Sequence, residues 1–257
     1  LKTKFFWRHL SPDTILATSD QDAQRYEQVF EGAMVNTMPN IKFEAIDTDE
    51  DDVNTLKQIK KILPQTLPLT ILASVRKQEE KEMVHILNNI LKIVPNQVVA
   101  IFPRHIHRVK AWEKRLTSQN LNFHLRSKIN SCLKNPGIIL WDTFGELKTA
   151  YGLAAVVFVG GSLKPLGGQN FIEPAIQGAV IVTGPYYDDF AWATNDIFKK
   201  GIVIKKNHWK AVARTITQTL EKPGNRSDRK RLALEYLQSN QGGTRQACHE
   251  ILKAFDV

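Results

Sequence analysis

Cysteine is almost absent: Cys132 and Cys248 are the only two in 257 residues, and they lie far apart. That scarcity argues against a disulfide framework or a cysteine-based zinc site and suits a reducing compartment. No apolar run reaches the length of a membrane span, and no signal-peptide pattern is visible at the start, so the chain reads as soluble. The seven histidines follow no ligand spacing. His105 and His107 are expected on opposite sides of an extended turn, and no metal site is expected. Ser162 is not set in a nucleophile elbow, which leaves a hydrolase triad without support. Gly-x-Gly-x-x-Gly does not follow the first strand, which counts against nicotinamide binding. Internal repeats and low-complexity tracts are missing too. Leu1 is not a natural initiator, so the chain reads as a piece of something longer.

What is present is ample apolar material and an excess of positive charge. Apolar residues make up 42% of the chain, enough for the core of one large α/β domain or two small ones. The net charge of +9 is unevenly spread. Residues 44–52 hold six acids and no base, the pattern of a solvated linker, while residues 104–115 and 205–231 are rich in lysine and arginine. A basic surface suits a phosphorylated substrate, nucleic acid or an anionic membrane, or it is simply the solvated face of several helices.

Strand and helix patterns alternate. A short strand over 14–18 leads through Ser19, a good N-cap, into an amphipathic helix over 20–30. One strand and one helix cannot bury their own apolar faces, so they need either an absent domain or the rest of the chain. A helix over 53–63 and a break at Pro64 to Pro68 follow. Strands are then expected over 69–73, 97–102, 123–125, 137–141, 153–159, 179–183 and 201–204. Helices are expected over 79–93, 107–119, 146–151, 173–177, 189–195, 209–221, 227–239 and 243–254. This alternation defines an α/β fold with a Rossmann-like, doubly wound parallel sheet and helices on both faces.

The stretch from Leu153 to Pro185 dominates the site reading. Two β-branched apolar runs, of a kind buried on both faces, flank a crossover with the pairs Gly160-Gly161 and Gly167-Gly168, then Asn170 and Glu173. Ligands sit at the carboxyl ends of parallel strands, and glycine lets backbone approach them closely. Pro103-Arg104-His105, Asp142-Thr143-Phe144-Gly145-Glu146 and Gly160-Gly161-Ser162 all follow strands, so the three turns open on one edge. Arg104 can pair with a phosphate or carboxylate, or cover a helix end. Phe144-Gly145 can offer backbone N–H groups, and Glu146 either joins them or caps the helix it begins. Asn170 can bond a sugar or phosphate, and Glu173 can accept from a ribose diol.

The same residues carry a family resemblance. Pro103-Arg104-His105, Asp142-Thr143-Phe144-Gly145-Glu146-Leu147, Gly160-Gly161-Ser162-Leu163 and Gly167-Gly168-Gln169-Asn170-Phe171-Ile172-Glu173-Pro174 resemble, in order and spacing, the carboxy-terminal half of 3-deoxy-D-manno-octulosonic acid (Kdo) transferases. Ala73-Ser74 with Glu79-Glu80, and Asn40-Ile41-Lys42-Phe43, extend the likeness.

The resemblance implies the carboxy-terminal half of a GT-B glycosyltransferase. Residues 1–42 would be a remnant of the amino-terminal acceptor domain and its junction, and residues 43–257 the donor-binding domain. The donor would be CMP-Kdo and the acceptor a lipid A precursor, at the cytoplasmic face of the bacterial inner membrane, with membrane contact through the amino-terminal region. Transfer would be direct and inverting, with no metal, cofactor or nucleic acid. Pro103, Arg104, Phe144, Gly145, Glu146, Gly161, Ser162, Asn170 and Glu173 would form the nucleotide site, and a general base would come from the other domain. This half would bind CMP without transferring Kdo. Two departures stand out: Gln169 replaces a common histidine, and Val75-Arg76-Lys77-Gln78 replaces Thr-His-Glu-Gly. The rival readings are a basic module for nucleic acid or anionic lipid and a GT-B transferase with another nucleotide sugar.

Overall fold

The computed structural model describes residues 10–46, 52–193 and 196–255. The chain divides into two compact units, Leu1–Asp47 with Glu235–Val257, and Thr48–Leu234.

In the larger unit seven parallel strands run in the order β5-β6-β4-β3-β7-β8-β9. They are β3 (Leu69–Val75), β4 (Val98–Pro103), β5 (Phe123–Leu125), β6 (Gly137–Leu140), β7 (Val156–Val159), β8 (Val180–Thr183) and β9 (Val203–Lys205). The central strands are apolar on both faces because helices cover both. Leu72, Ile101, Leu140, Phe158 and Val182 point to one face and join Met83, Leu87, Trp112, Leu116, Val212 and Ile216 in a single core. Those partners belong to the helices Glu80–Ile93, Val109–Ser118 and Trp209–Glu221. The alternate strand residues Ile71, Ile139, Val157 and Ile181 are equally buried. Val53–Ile62, Leu147–Tyr151 and Ile172–Ile176 supply further helices around the sheet.

The smaller unit supplies within the chain the partners that its first strand and helix need. β1 (Thr14–Ala17) pairs in parallel with β2 (Met34–Thr37), a strand the sequence pattern did not reveal, with Thr14 opposite Met34. Ser19 caps the intervening helix Asp20–Val29 by accepting from Asp22 N–H at 3.1 Å. The last helix, Gly243–Ala254, belongs to the same unit: Gln246 donates to the Thr37 carbonyl, and a Cβ on Gly243 would lie 2.0 Å from the Pro39 oxygen. Phe43 and Tyr236 meet edge to face at 5.9 Å.

Two other expectations change. The acidic stretch 44–52 is not wholly a solvated linker: Glu44 accepts from Gly242 N–H at 2.6 Å, and Asp52 caps the helix Val53–Ile62 through Asn54 and Thr55. Short acidic side chains satisfy the unpaired N–H groups that a helix start leaves exposed. Residues 47–51 lie outside the described residues. The helix expected over 189–195 is instead a 3-10 stretch, Asp188–Ala193, kinked at Phe190, and a helical turn at Asp196–Lys199 follows. Residues 194 and 195 lie outside the described residues.

Candidate functional site

The chain leaves β3 for β4 on one side and returns on the other side to β7, so the topological switch point lies at the carboxyl end of β3. All seven strands are parallel, which puts the turns after β3, β4, β6 and β7 on one edge.

The turn after β3 is strained and carries a buried acid. The register with β4 shifts between Leu72 and Val75, and Ser74 adopts φ 51°, a left-handed conformation that is costly for a residue with a side chain. Five residues on, the fully buried Glu79 reaches across to the turn after β7. Its carboxylate accepts from the N–H groups of Gly161 at 2.5 Å, Ser162 at 3.2 Å and Leu163 at 3.4 Å, and from Arg76 N–H at 3.2 Å. Gly160 permits this approach, because a Cβ there would sit 2.6 Å from the carboxylate and 2.7 Å from the Ala73 carbonyl oxygen. Burial raises the Glu79 carboxyl above the ordinary glutamate range, against the lowering effect of the four N–H donors.

In this arrangement Gly161 and Ser162, expected among the nucleotide contacts, face the protein's own carboxylate. Their N–H groups already point at Glu79. The Ser162 hydroxyl is fully buried, donating to the Val159 carbonyl at 2.6 Å and accepting from Gly184 N–H at 2.8 Å. The turn after β7 is thus an anion cradle filled by the protein's own carboxylate.

Glu146 also turns inward. It makes no capping bond to the helix Leu147–Tyr151. Its carboxylate accepts from Arg126 Nη2 at 2.7 Å, Trp141 Nε1 at 2.7 Å and Thr143 Oγ1 at 2.5 Å, while Asp142 takes Ser127. Trp141 stacks on Phe102 at 4.4 Å, with the Arg126 guanidinium over its ring. This web fixes the turn after β6 and leaves Phe144 at its tip, 79% exposed, next to Gly145 at φ 83°. A large apolar ring held in water on a braced turn is a surface on which a planar base can stack.

Arg104 is exposed, and its backbone N–H donates to the Val75 carbonyl at 2.8 Å, which ties the turns after β3 and β4 together. It covers no helix end by a hydrogen bond among the described residues. The turn beyond it is not extended: Ile106–Arg108 is a 3-10 turn, which stacks His105 on His107 at 5.4 Å instead of separating them. Among the described residues no group of three or more histidine, cysteine, aspartate or glutamate side chains could hold a metal ion.

In the crossover, Gly167 and Gly168 take φ values of 82° and 78°. Asn170 follows, donating from Nδ2 to Glu173 Oε1 at 2.8 Å and accepting at Oδ1 from Ile172 N–H at 3.0 Å. It therefore starts the helix Ile172–Ile176 and aims Glu173. Burial, with the charge of Glu173 as a lesser cause, raises the hydroxyl pKa of Tyr151 well above its usual value, so Tyr151 stays neutral beside that acid.

The fold defines a class: an α/β, Rossmann-like parallel sheet with helices on both faces, as in the carboxy-terminal half of GT-B glycosyltransferases. A glycosyltransferase from Rickettsia africae, 12% identical, covers 93% of this chain with a TM-score of 0.55 and supports the fold alone. No family model matches the chain. The chain is similar to 3-deoxy-D-manno-octulosonic acid transferases: 26% identical over 255 residues to that of Haemophilus influenzae and 28% over 186 residues to that of Bordetella pertussis. Those alignments cover 97% and 70% of this chain but 58% and 43% of the relatives, so the chain spans about half their length. The half concerned is the carboxy-terminal one: the C-terminal CMP-Kdo binding domain of WaaA from Acinetobacter baumannii is 28% identical, with a TM-score of 0.62, and is 91% covered by 68% of this chain.

Proposed function

We propose that this chain is the donor-binding half of a glycosyltransferase that moves Kdo from CMP-Kdo to a lipid A precursor in lipopolysaccharide biosynthesis. One observation carries the reading. Exposed Arg104, exposed Phe144 and the Asn170–Glu173 pair stand on one sheet edge, in a chain similar over most of its length to Kdo transferases.

In this reading Pro103 and Arg104 face the phosphate, and Phe144 with Gly145 receives the cytosine. Asn170 sits near the phosphate while Glu173 accepts from the ribose diol. Glu146 acts as a brace for Phe144, and Gly161 with Ser162 as the floor. The acceptor hydroxyl attacks the anomeric carbon as its bond to the phosphate oxygen breaks. CMP leaves, the configuration inverts, and the hydroxyl proton passes to a general base in the acceptor domain, with no metal taking part. Residues 1–42 are assigned to that acceptor domain and its junction, and residues 43–257 to the donor domain. The reaction is placed at the cytoplasmic face of the inner membrane. Among the described residues no helix is long and apolar enough to cross a membrane.

Calorimetric titration tests the donor site. CMP is expected to bind in preference to UMP and GMP, and Glu173→Ala to weaken CMP about tenfold, the scale of one charge-assisted hydrogen bond. No heat at millimolar CMP would overturn the reading, and an unchanged affinity in the variant would remove the ribose role. The rival basic module is separated by salt, because phosphate-backbone binding falls steeply with ionic strength.

A further inference from the structure

Arg76 follows β3 directly, at the switch point, and its guanidinium has no hydrogen-bond or ion-pair partner among the described residues. Its backbone is pinned, since its N–H donates to Glu79 Oε1 at 3.2 Å. Its Nε is nonetheless buried without an acceptor. A buried donor without an acceptor is unfavourable, and a half-buried guanidinium with no acid beside it attracts an anion.

The acids nearby in the chain cannot supply it. Glu79 is held by four N–H groups, Glu80 accepts two bonds from Arg108 at 2.9 and 2.8 Å and one from Arg115 at 3.4 Å, and Glu82 pairs with Lys164 at 2.7 Å. Lys77 and Arg104 flank Arg76 on the tied turns after β3 and β4; both are exposed and have no ion partner among the described residues. The edge at the switch point therefore carries three uncommitted cations.

A CMP-activated sugar acid brings two anions there, the phosphodiester and the carboxylate on the anomeric carbon. We infer that Arg76 receives the sugar carboxylate of the donor, a contact that rests on the donor-site reading above. The guanidinium fork matches a carboxylate through two parallel N–H bonds, which an ammonium cannot reproduce.

The experiment compares CMP with freshly generated CMP-Kdo on the full chain, by stopped-flow tryptophan fluorescence, in the wild type, Arg76→Met and Arg76→Lys. Arg76→Met is expected to weaken CMP-Kdo about 10–100-fold, to leave CMP within about twofold and to keep the thermal midpoint, while Arg76→Lys recovers only part of the loss. Equal losses for both ligands, no loss for CMP-Kdo, or a large fall in thermal midpoint would each overturn the assignment. Wild type that fails to bind CMP overturns the donor-site reading itself, and Arg76 falls with it. Wild type that binds CMP while Arg76→Met leaves CMP-Kdo unaffected overturns Arg76 alone.

Discussion

Glu79→Ala is expected to lower the unfolding free energy by about 3–6 kcal/mol, read as a fall in the urea midpoint. The change strips the acceptor from Gly161, Ser162, Leu163 and Arg76 N–H groups, each in or beside the buried turn, and an orphaned buried donor costs about 1–3 kcal/mol. Relief of the buried charge offsets part of that sum. The pH dependence has a definite sign. Burial raises the Glu79 carboxyl above its ordinary 4.5, so between 4.5 and the raised value the native state holds the proton more tightly than the unfolded chain. The stability from this group is fully present below pH 4.5 and is lost as pH rises through the native value. Glu79→Gln has no such proton, so the stability difference between wild type and this variant should favour wild type more at pH 5 than at pH 7. An unchanged midpoint in the alanine variant would show that the cradle does not hold the turn.

The order of elements was legible because buried parallel strands advertise themselves as apolar runs, and glycine-rich turns between them mark the ligand edge. That Phe144 stands at a turn and that Asn170 lies within reach of Glu173 follow from local spacing, since these neighbours in sequence are neighbours in space. Glu79 was not. Its main partners lie more than 80 residues away, and nothing local distinguishes it from Glu80, which answers to Arg108 and Arg115 instead. Ser162 entered the expected nucleotide site through the resemblance alone, and no local pattern shows that the turn buries it. Glu146 carried a capping pattern, but Trp141 and Arg126 outcompete the helix start for its carboxylate. β2 is a four-residue strand, Met-Val-Asn-Thr, too short to set up a period, and it forms because β1 and the last helix lie beside it. The three stacked or braced aromatics Phe102, Trp141 and His105 likewise depend on turns whose geometry no spacing rule supplies.

Arg226→Ala is expected to cost about 3–5 kcal/mol and to weaken CMP about tenfold, although Arg226 is no part of the nucleotide site. Its guanidinium donates to the carbonyls of Ala154 at 2.6 Å, Tyr151 at 3.1 Å, Gly152 at 2.7 Å and Gln177 at 2.7 Å. These carbonyls lie at the carboxyl ends of the helices Leu147–Tyr151 and Ile172–Ile176, where a helix leaves acceptors unpaired and favours a cation. Five residues are too few for a helix to persist unaided, so both short helices depend on such outside support. Their opposite ends present Glu146, and Asn170 with Glu173. One guanidinium therefore fixes, from behind, the two helices whose starts carry the proposed nucleotide site. Burial lowers the Arg226 pKa, with repulsion from Arg229 as a lesser cause, yet the group stays charged because four carbonyl oxygens face it. Arg226→Lys should recover little, since a single ammonium on a flexible stem cannot span carbonyls of two helices. The measurements are the urea midpoint and the calorimetric affinity for CMP. A variant that loses stability but binds CMP as wild type would separate the brace from the site, and one unchanged in both would remove the brace altogether.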